Sequence, residues 1–183
     1  IIQSGEIPNM IFYGPSGVGK STLAAIIAKQ TNRTLRKLNG TTASTADIKE
    51  IVNQLDTFGG MNGILLYLDE IQYFNKKQQQ TLLEFIENGS ITLIASTTEN
   101  PYFYVYNAIL SRCTVFEFKP VVKEEVAKAV WRAFDVLTEE LGQTIDVDDE
   151  PVLYVATACG GDVRKAINAV EQSVLASPVK NGV

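Results

Sequence analysis

A lysine and a hydroxyl at the end of a glycine-rich stretch are the first residues in this chain with evident chemistry. Residues 14–22 read Gly14-Pro15-Ser16-Gly17-Val18-Gly19-Lys20-Ser21-Thr22, directly after the apolar run Met10–Tyr13. The frame Gly-x-x-x-x-Gly-Lys-Ser is the phosphate-binding loop pattern, in which a strand empties through a glycine turn into a helix. Several backbone N–H groups then converge where an anion fits. Gly14 and Gly19 permit a close phosphate approach that a Cβ would obstruct, Lys20 can reach β- and γ-phosphates, and the Ser21 hydroxyl can ligate Mg²⁺. Residues 14–22 are therefore the candidate cofactor-binding set for a nucleoside triphosphate with Mg²⁺.

Two carboxylates supply the next chemistry. Ile64-Leu65-Leu66-Tyr67-Leu68-Asp69-Glu70 is an apolar run closed by acids. In a phosphate-binding-loop protein a carboxylate at such a strand end holds the Mg²⁺ water shell, and Asp69 fits that role beside Ser21. Glu70 follows and, by strand alternation, points the other way, where it can orient an attacking water or accept its proton. A third run, Ile91–Ala95, empties into Ser96-Thr97-Thr98-Glu99-Asn100-Pro101. Thr97 is the first candidate for a donor near the γ-phosphate and Thr98 the second, although a polar turn closed by Pro101 explains the residues equally well. Two arginines complete the set: Arg112 in Ser111-Arg112-Cys113, and Arg164 in Gly161-Asp162-Val163-Arg164. Arginine suits charge neutralisation on a transferring phosphoryl group. Spacing alone does not separate that role from a surface ion pair.

These residues need a scaffold that brings distant segments together. Short apolar runs bounded by turn residues, Met10–Tyr13, Ile64–Leu68, Ile91–Ala95 and Val115–Phe118, suit buried parallel strands, and Thr34–Leu38 is a fifth candidate. Helical patterns lie between them. Lys20–Gln30 carries Leu23, Ile26 and Ile27 on one stripe, and Ser44–Leu55 opens with the cap-like Ser44-x-x-Asp47. Lys76–Glu87 opens at Asn75 with Gln78 three residues on and stops at Asn88-Gly89. Alternating strands and helices indicate a three-layer α/β core with a parallel sheet. After Pro120 the pattern turns wholly helical: Lys123–Leu141, Glu150–Ala158 and Asp162–Leu175, broken at Gly142, at 146–151 and at Gly160-Gly161. The expected organisation is a core over 1–120 and a small all-α module over 121–183.

Composition narrows the chemistry. The 183 residues include no histidine and two cysteines, Cys113 and Cys159, which excludes histidine catalysis, zinc clusters and a disulfide framework and suits a reducing setting. A net charge of −5 argues against a general nucleic-acid coat, so any such contact is local. No apolar run approaches the roughly 20 residues of a membrane span. The chain opens on Ile1-Ile2-Gln3 without an initiator Met and reads as an excised piece. Tyr102, Phe103, Tyr104 and Tyr106 are expected in core and loop packing. Lys76 and Lys77 are expected on a solvated face, poorly placed for the helix dipole. Trp131, Val130, Phe134 and Leu137 have the spacing of a helical core, and both cysteines suit small buried apolar sites.

The ordered set, Gly-x-x-x-x-Gly-Lys-Ser, Leu-Asp-Glu, a polar-ended strand, Ser-Arg-Cys and Gly-Asp-x-Arg, resembles the AAA+ ATPases, and Ser-Arg-Cys resembles their clamp-loader branch. The stretch Asp69-Glu70-Ile71-Gln72-Tyr73-Phe74-Asn75-Lys76-Lys77-Gln78-Gln79-Gln80 is similar to the D-E-x-x-x-F-N-K-x-Q-Q signature of the RarA/MgsA replication-associated recombination proteins. Thr-Thr-Glu-Asn-Pro and Leu110-Ser111-Arg112 match the same family. The resemblance implies an AAA+ core with a helical lid, ATP and Mg²⁺ as cofactors, and Glu70, Thr97, Arg112 and Arg164 as catalytic residues. Thr97 becomes the sensor-1 residue, Arg112 an arginine finger acting on a neighbour's ATP, and Arg164 the sensor-2 arginine. It further implies ATP hydrolysis in a homo-oligomer, ring or tetramer, working in the bacterial cytoplasm, at the nucleoid, on DNA junctions or ends with replication and repair proteins and no membrane. The loop departs from the family in reading Pro-Ser-Gly-Val where Pro-Pro-Gly-Thr is common. The family's adenine-side segment falls before Ile1 and its oligomerisation region after the lid, which implies weak hydrolysis by this stretch alone. Two other readings fit the glycine loop: a small-molecule kinase and an inactive nucleotide-binding scaffold. The absence of an acceptor pocket in the pattern argues against the first. Retention of Lys20, Ser21, Asp69, Glu70, Arg112 and Arg164 argues against the second.

Overall fold

The computed structural model describes residues 7–53 and 63–177. All five expected strands form: β1 (Asn9–Tyr13), β2 (Thr34–Asn39), β3 (Ile64–Asp69), β4 (Ile91–Thr97) and β5 (Cys113–Glu117). They make one parallel sheet in the order β2-β3-β4-β1-β5. Around it run α1 (Lys20–Gln30), α2 (Thr45–Asn53) and α3 (Lys76–Glu87). Two four-residue helices, α4 (Pro101–Tyr104) and α5 (Asn107–Leu110), precede β5, and a 3-10 turn at Ile71–Tyr73 precedes α3. The expected end of the second helix, at Leu55, lies outside the described residues.

Strand alternation sorts the core into two faces. Leu66, Leu68, Leu93 and Ala95 pack with Ile48 and Ile51 of α2 and Leu82 and Ile86 of α3. Leu65, Tyr67 and Ile94 pack on the other face with Ala24, Ile27 and Ala28 of α1. Both faces are therefore covered, which is why the strands read as unbroken apolar runs. The capping box at α3 forms as expected. The Asn75 side chain accepts from the Gln78 amide, and Gln78 Oε1 accepts from the Asn75 N–H at 2.9 Å. At the start of α2, Ser44 donates its backbone N–H to Asp47 at 2.6 Å.

Among the described residues the chain divides into two compact units. One comprises the residues up to Gly14 with Gly19–Phe118, the other Pro15–Val18 with the residues from Lys119 onward. The second contains α6 (Lys123–Leu141), α7 (Asp149–Ala158) and α8 (Val163–Ala176), packed through Val126, Val130, Val152, Ala156, Ala166 and Val170. Phe134 and Leu137 join this cluster as expected, but Trp131 does not: it lies at the exposed rim with its ring tilted against that of Phe134, centroids 6.4 Å apart. The helix turns every third or fourth residue inward, so Val130 and its i+4 neighbour Phe134 take the core and Trp131 falls beside the stripe. Gly142 closes α6 at φ 62°, the left-handed conformation that a helix C-terminus favours in glycine.

Candidate nucleotide-binding site

Parallel strands deliver their following residues to one edge of the sheet, and that edge is where α/β folds bind ligands. At the ends of β1, β3 and β4 stand the glycine loop, Asp69-Glu70 and Thr97, so three segments separated by tens of residues meet by topology alone. Register fixes how closely. Tyr13 pairs with Thr97, and the Gly14 N–H donates to the Thr97 carbonyl at 3.1 Å. On the other side the Phe118 N–H donates to the Tyr13 carbonyl at 2.7 Å. Gly14 stands at φ 140°, and a Cβ there would lie 2.1 Å from the Phe118 carbonyl oxygen, so only glycine lets the loop leave between β4 and β5.

The loop enters α1 through Gly19, at φ 94°, which supplies no side-chain cap to the helix. The first-turn amides of α1 are thus offered without an acid among them, as an anion site requires. Lys20, the first residue of α1, is buried, and its Nζ donates to the Gly14 carbonyl at 2.7 Å. That distance is the length of a charge-assisted bond, and it folds the cation back across the loop it serves. Ser21 follows in the same turn.

Asp69 ends β3 on the α1 face, the same face as Tyr67 two residues earlier. Leu68 pairs with Ala95, so Asp69 and Ser96 come next on their strands. The Ser96 hydroxyl donates to Asp69 Oδ1. The Tyr67 hydroxyl reaches Ser96 Oγ at 2.8 Å and Asp69 Oδ1 at 3.3 Å. Tyr67 and Ser96 are both buried, and this pair of hydroxyls orients the carboxylate. Burial, with a smaller contribution from the charges of Asp69 and Glu70, raises the Tyr67 phenol well above its ordinary value, so it stays a neutral donor. Sequence reasoning missed both residues. The available signal was a hydroxyl-bearing ring two positions before the acid, on the same face of an otherwise aliphatic strand.

Glu70 departs from the expected alternation. The strand ends at Asp69, and Glu70 adopts φ 55° and ψ 52°, opening the 3-10 turn. Turn geometry therefore sets its direction. Gln72 Nε2 donates to Glu70 Oε2 at 2.5 Å and holds the carboxylate. Just after β2, the Gly40 N–H donates to the Asp69 carbonyl at 2.7 Å, and a Cβ on Gly40 would sit 2.2 Å from the Glu70 carbonyl oxygen. Gly40 and Gln72 are further positioning residues that the sequence did not single out.

Thr97 is fully buried beside the loop root. Its Oγ1 accepts from the Glu99 N–H at 3.0 Å, while Thr98 is exposed. Arg112 is not brought to this edge. It precedes β5, whose first residue Cys113 pairs with Asn9 at the start of β1, whereas the loop leaves the far end, where Tyr13 pairs with Glu117. Four strand steps, about 13 Å, separate the two ends. The Arg112 guanidinium instead meets Glu87 at 2.5 Å and the Ala108 carbonyl at 2.8 Å. In the second unit, Asp162 caps α8 by accepting from the Lys165 N–H at 3.0 Å, and Arg164 lies exposed in the first turn. The neighbouring Val163 N–H donates to the Gly17 carbonyl at 3.0 Å.

The residues present fit Mg²⁺ held with a phosphate chain, since that ion takes one or two protein oxygens and keeps its other positions for phosphates and water. Ser21 and Asp69 would supply such oxygens. Among the described residues no group of three or more histidine, cysteine or acidic side chains forms an all-protein cage.

Comparison with known proteins agrees with this architecture. The model of the "ATPase family associated with various cellular activities (AAA)" matches residues 10–121. Replication-associated recombination protein A of Bacillus subtilis is 39% identical over 97% of this chain and 42% of its own length. The Escherichia coli K12 protein of that name is 35% identical over 93% of this chain and 38% of its own length. ATPase WRNIP1 of Dictyostelium discoideum is 36% identical over 97% of this chain and 20% of its own length. The chain thus spans less than half the length of these relatives. Among solved structures, the RuvB Holliday junction branch migration motor of Thermotoga maritima superposes with a TM-score of 0.77 at 23% identity. That match covers 98% of this chain and 60% of RuvB, a likeness of fold. The phosphate loop, the acid-ended strand and the sheet order that joins them are those of one family, and the chain belongs to the AAA ATPases.

Proposed function

We propose that this chain is the ATP-hydrolysing part of an oligomeric ATPase that acts on DNA junctions or ends at stalled or damaged replication forks. The observation that carries the reading is the convergence of Lys20, Asp69, Glu70 and Thr97 at one sheet edge, with Arg112 at the other. Lys20 and the loop amides hold the β- and γ-phosphates of ATP. Ser21 and Asp69 hold Mg²⁺, which when bound neutralises charge shared by those phosphates. Glu70 orients a water and takes its proton as the water oxygen bonds to the γ-phosphorus and the bond to the β-phosphate oxygen breaks. Thr97 sits beside the γ-phosphate position as a polar sensor.

Arg112 serves the ATP of a second copy, because its own loop lies at the opposite strand ends. The helical module over 121–183 acts as a lid that carries Arg164. A role in replication and recombination is supported by the printed names of the relatives, and the junctions or ends, the forks and the repair partners extend that reading. Work in the bacterial cytoplasm at the nucleoid is a further part of the proposal.

The shared site is tested by mixing. Lys20→Ala and Arg112→Ala variants each lose turnover alone, and their mixture regains part of it because some interfaces join an intact loop to an intact arginine. No recovery, with assembly intact, overturns the role of Arg112 in the neighbour's site. Labelled phosphate released to water rather than to a metabolite separates hydrolysis from kinase chemistry.

A further inference from the structure

Around the start of α3 lies a surface that the hydrolytic site does not use. The rings of residues 102–106 were expected in packing, yet Phe103 is 81% exposed, Tyr102 63% and Tyr73, on the 3-10 turn, 61%. Their backbone is nevertheless tied down. The buried Gln79 amide donates through Nε2 to the Phe74 carbonyl at 2.9 Å and to the Tyr104 carbonyl at 3.2 Å, and its Oε1 accepts from the Tyr106 N–H at 2.7 Å. One buried side chain thereby fastens the 3-10 turn and the α4–α5 segment into a single surface.

The charge pattern of these two stretches is distinct. Residues 71–83 and 100–111 contain no Asp or Glu, in a chain that has 21 of them. Lys76 and Lys77, both exposed, open α3 within it, and Lys76 Nζ lies 5.7 Å from the centre of the Tyr106 ring. Exposed rings beside two lysines, in stretches that carry no carboxylate of their own, suit a partner that offers flat apolar faces on an anionic backbone. Single-stranded nucleic acid is that partner, whereas a duplex keeps its base faces stacked inside. We propose that the rings of Tyr73, Tyr104 and their neighbours bind single-stranded DNA by stacking, with Lys76 and Lys77 against its phosphates. The proposal rests on the DNA reading above and adds the strand form and the residues.

The test measures binding of the protein to a labelled oligo-thymidine of about 20 nucleotides by fluorescence anisotropy at fixed salt, since stacking sites span from a few to some sixteen nucleotides. Tyr73→Ala and Tyr104→Ala each weaken binding about tenfold, and Tyr104→Phe keeps it, because stacking needs the ring and not the hydroxyl. ATP turnover without DNA and the sedimentation coefficient stay at parent values in all three. Unchanged affinity in the Tyr73→Ala/Tyr104→Ala double variant overturns the proposal. So does a loss of assembly in that variant with oligo-thymidine affinity retained, which would make the rings an interface between copies. Parent protein that binds forked duplex but not oligo-thymidine also overturns it while leaving the DNA reading intact. Hydrolysis without binding to any DNA form defeats that reading as well.

Discussion

Gly40 offers the sharpest perturbation of the proposed hydrolytic site from outside it. The residue is buried at the end of β2, and its backbone does not use the left-handed region, so alanine is conformationally acceptable there. The cost of Gly40→Ala is contact alone. The new Cβ would stand 2.2 Å from the Glu70 carbonyl oxygen and 3.2 Å from that of Asp69. Ordinary contact begins at 3.4 Å, so the acid pair must retreat by about 1 Å. Overpacking of this kind costs about 1–3 kcal/mol, and a displacement of about 1 Å in catalytic groups costs on the order of 100-fold in rate. Thermal unfolding and steady-state phosphate release measure the two effects. Gly142→Ala is the control. A Cβ there meets nothing within 4 Å but suffers φ +62°, so it loses stability, about 1 kcal/mol, with no loss of turnover per folded molecule. Parent-level turnover by folded Gly40→Ala would refute the claim that β2 positions Asp69 and Glu70.

Two further outcomes follow from the burial of single side chains. Tyr67→Phe removes the hydroxyl bonded to Ser96 and lowers stability by about 1 kcal/mol in urea unfolding. Because the folded phenol is raised above its ordinary value of 10, its stabilising effect is complete below pH 10 and is lost as the pH rises further. Alkaline titration of absorbance shows a late-ionising tyrosine that Tyr67→Phe abolishes. Burial pushes the Cys113 thiol up to about 12, so at pH 8 iodoacetamide modifies it slowly in the folded protein and rapidly after denaturation. Rapid modification in the folded state would contradict its packing against the sheet.

The elements with strong local signals were legible. Ile64–Leu68 and Ile91–Ala95 announce themselves as doubly buried strands, and Asn75 with Gln78 marks the start of α3 to the residue. The apolar run places the edge strand β5 late, at Val115–Phe118 rather than Cys113–Glu117, because Cys113 is only partly buried and Thr114 is exposed, and pairing with β1 extends the strand over both. The helices α4 and α5 are four residues each, too short to show a period. Contacts between distant segments were not legible at all. Nothing near Tyr67 marks Ser96 as its partner, and nothing near Gly40 marks the carbonyl of Glu70. The aromatic run at 102–106 misled because residue type favours burial while the short α4 leaves its rings outside. Glu70 left the strand's alternation because the chain turns at that residue, a consequence of φ rather than of side-chain type.

The most direct measurement on the hydrolytic mechanism pairs ATP binding with turnover in Glu70→Gln. The amide keeps the size of the carboxylate and cannot take the proton from water. Binding of ATP should stay within a few-fold of the parent while phosphate release falls by about 10²–10⁴-fold, the usual worth of a general base. Turnover near the parent rate with ATP bound would contradict the assignment of Glu70 and, with it, the reading of the acid-ended strand as the hydrolytic centre.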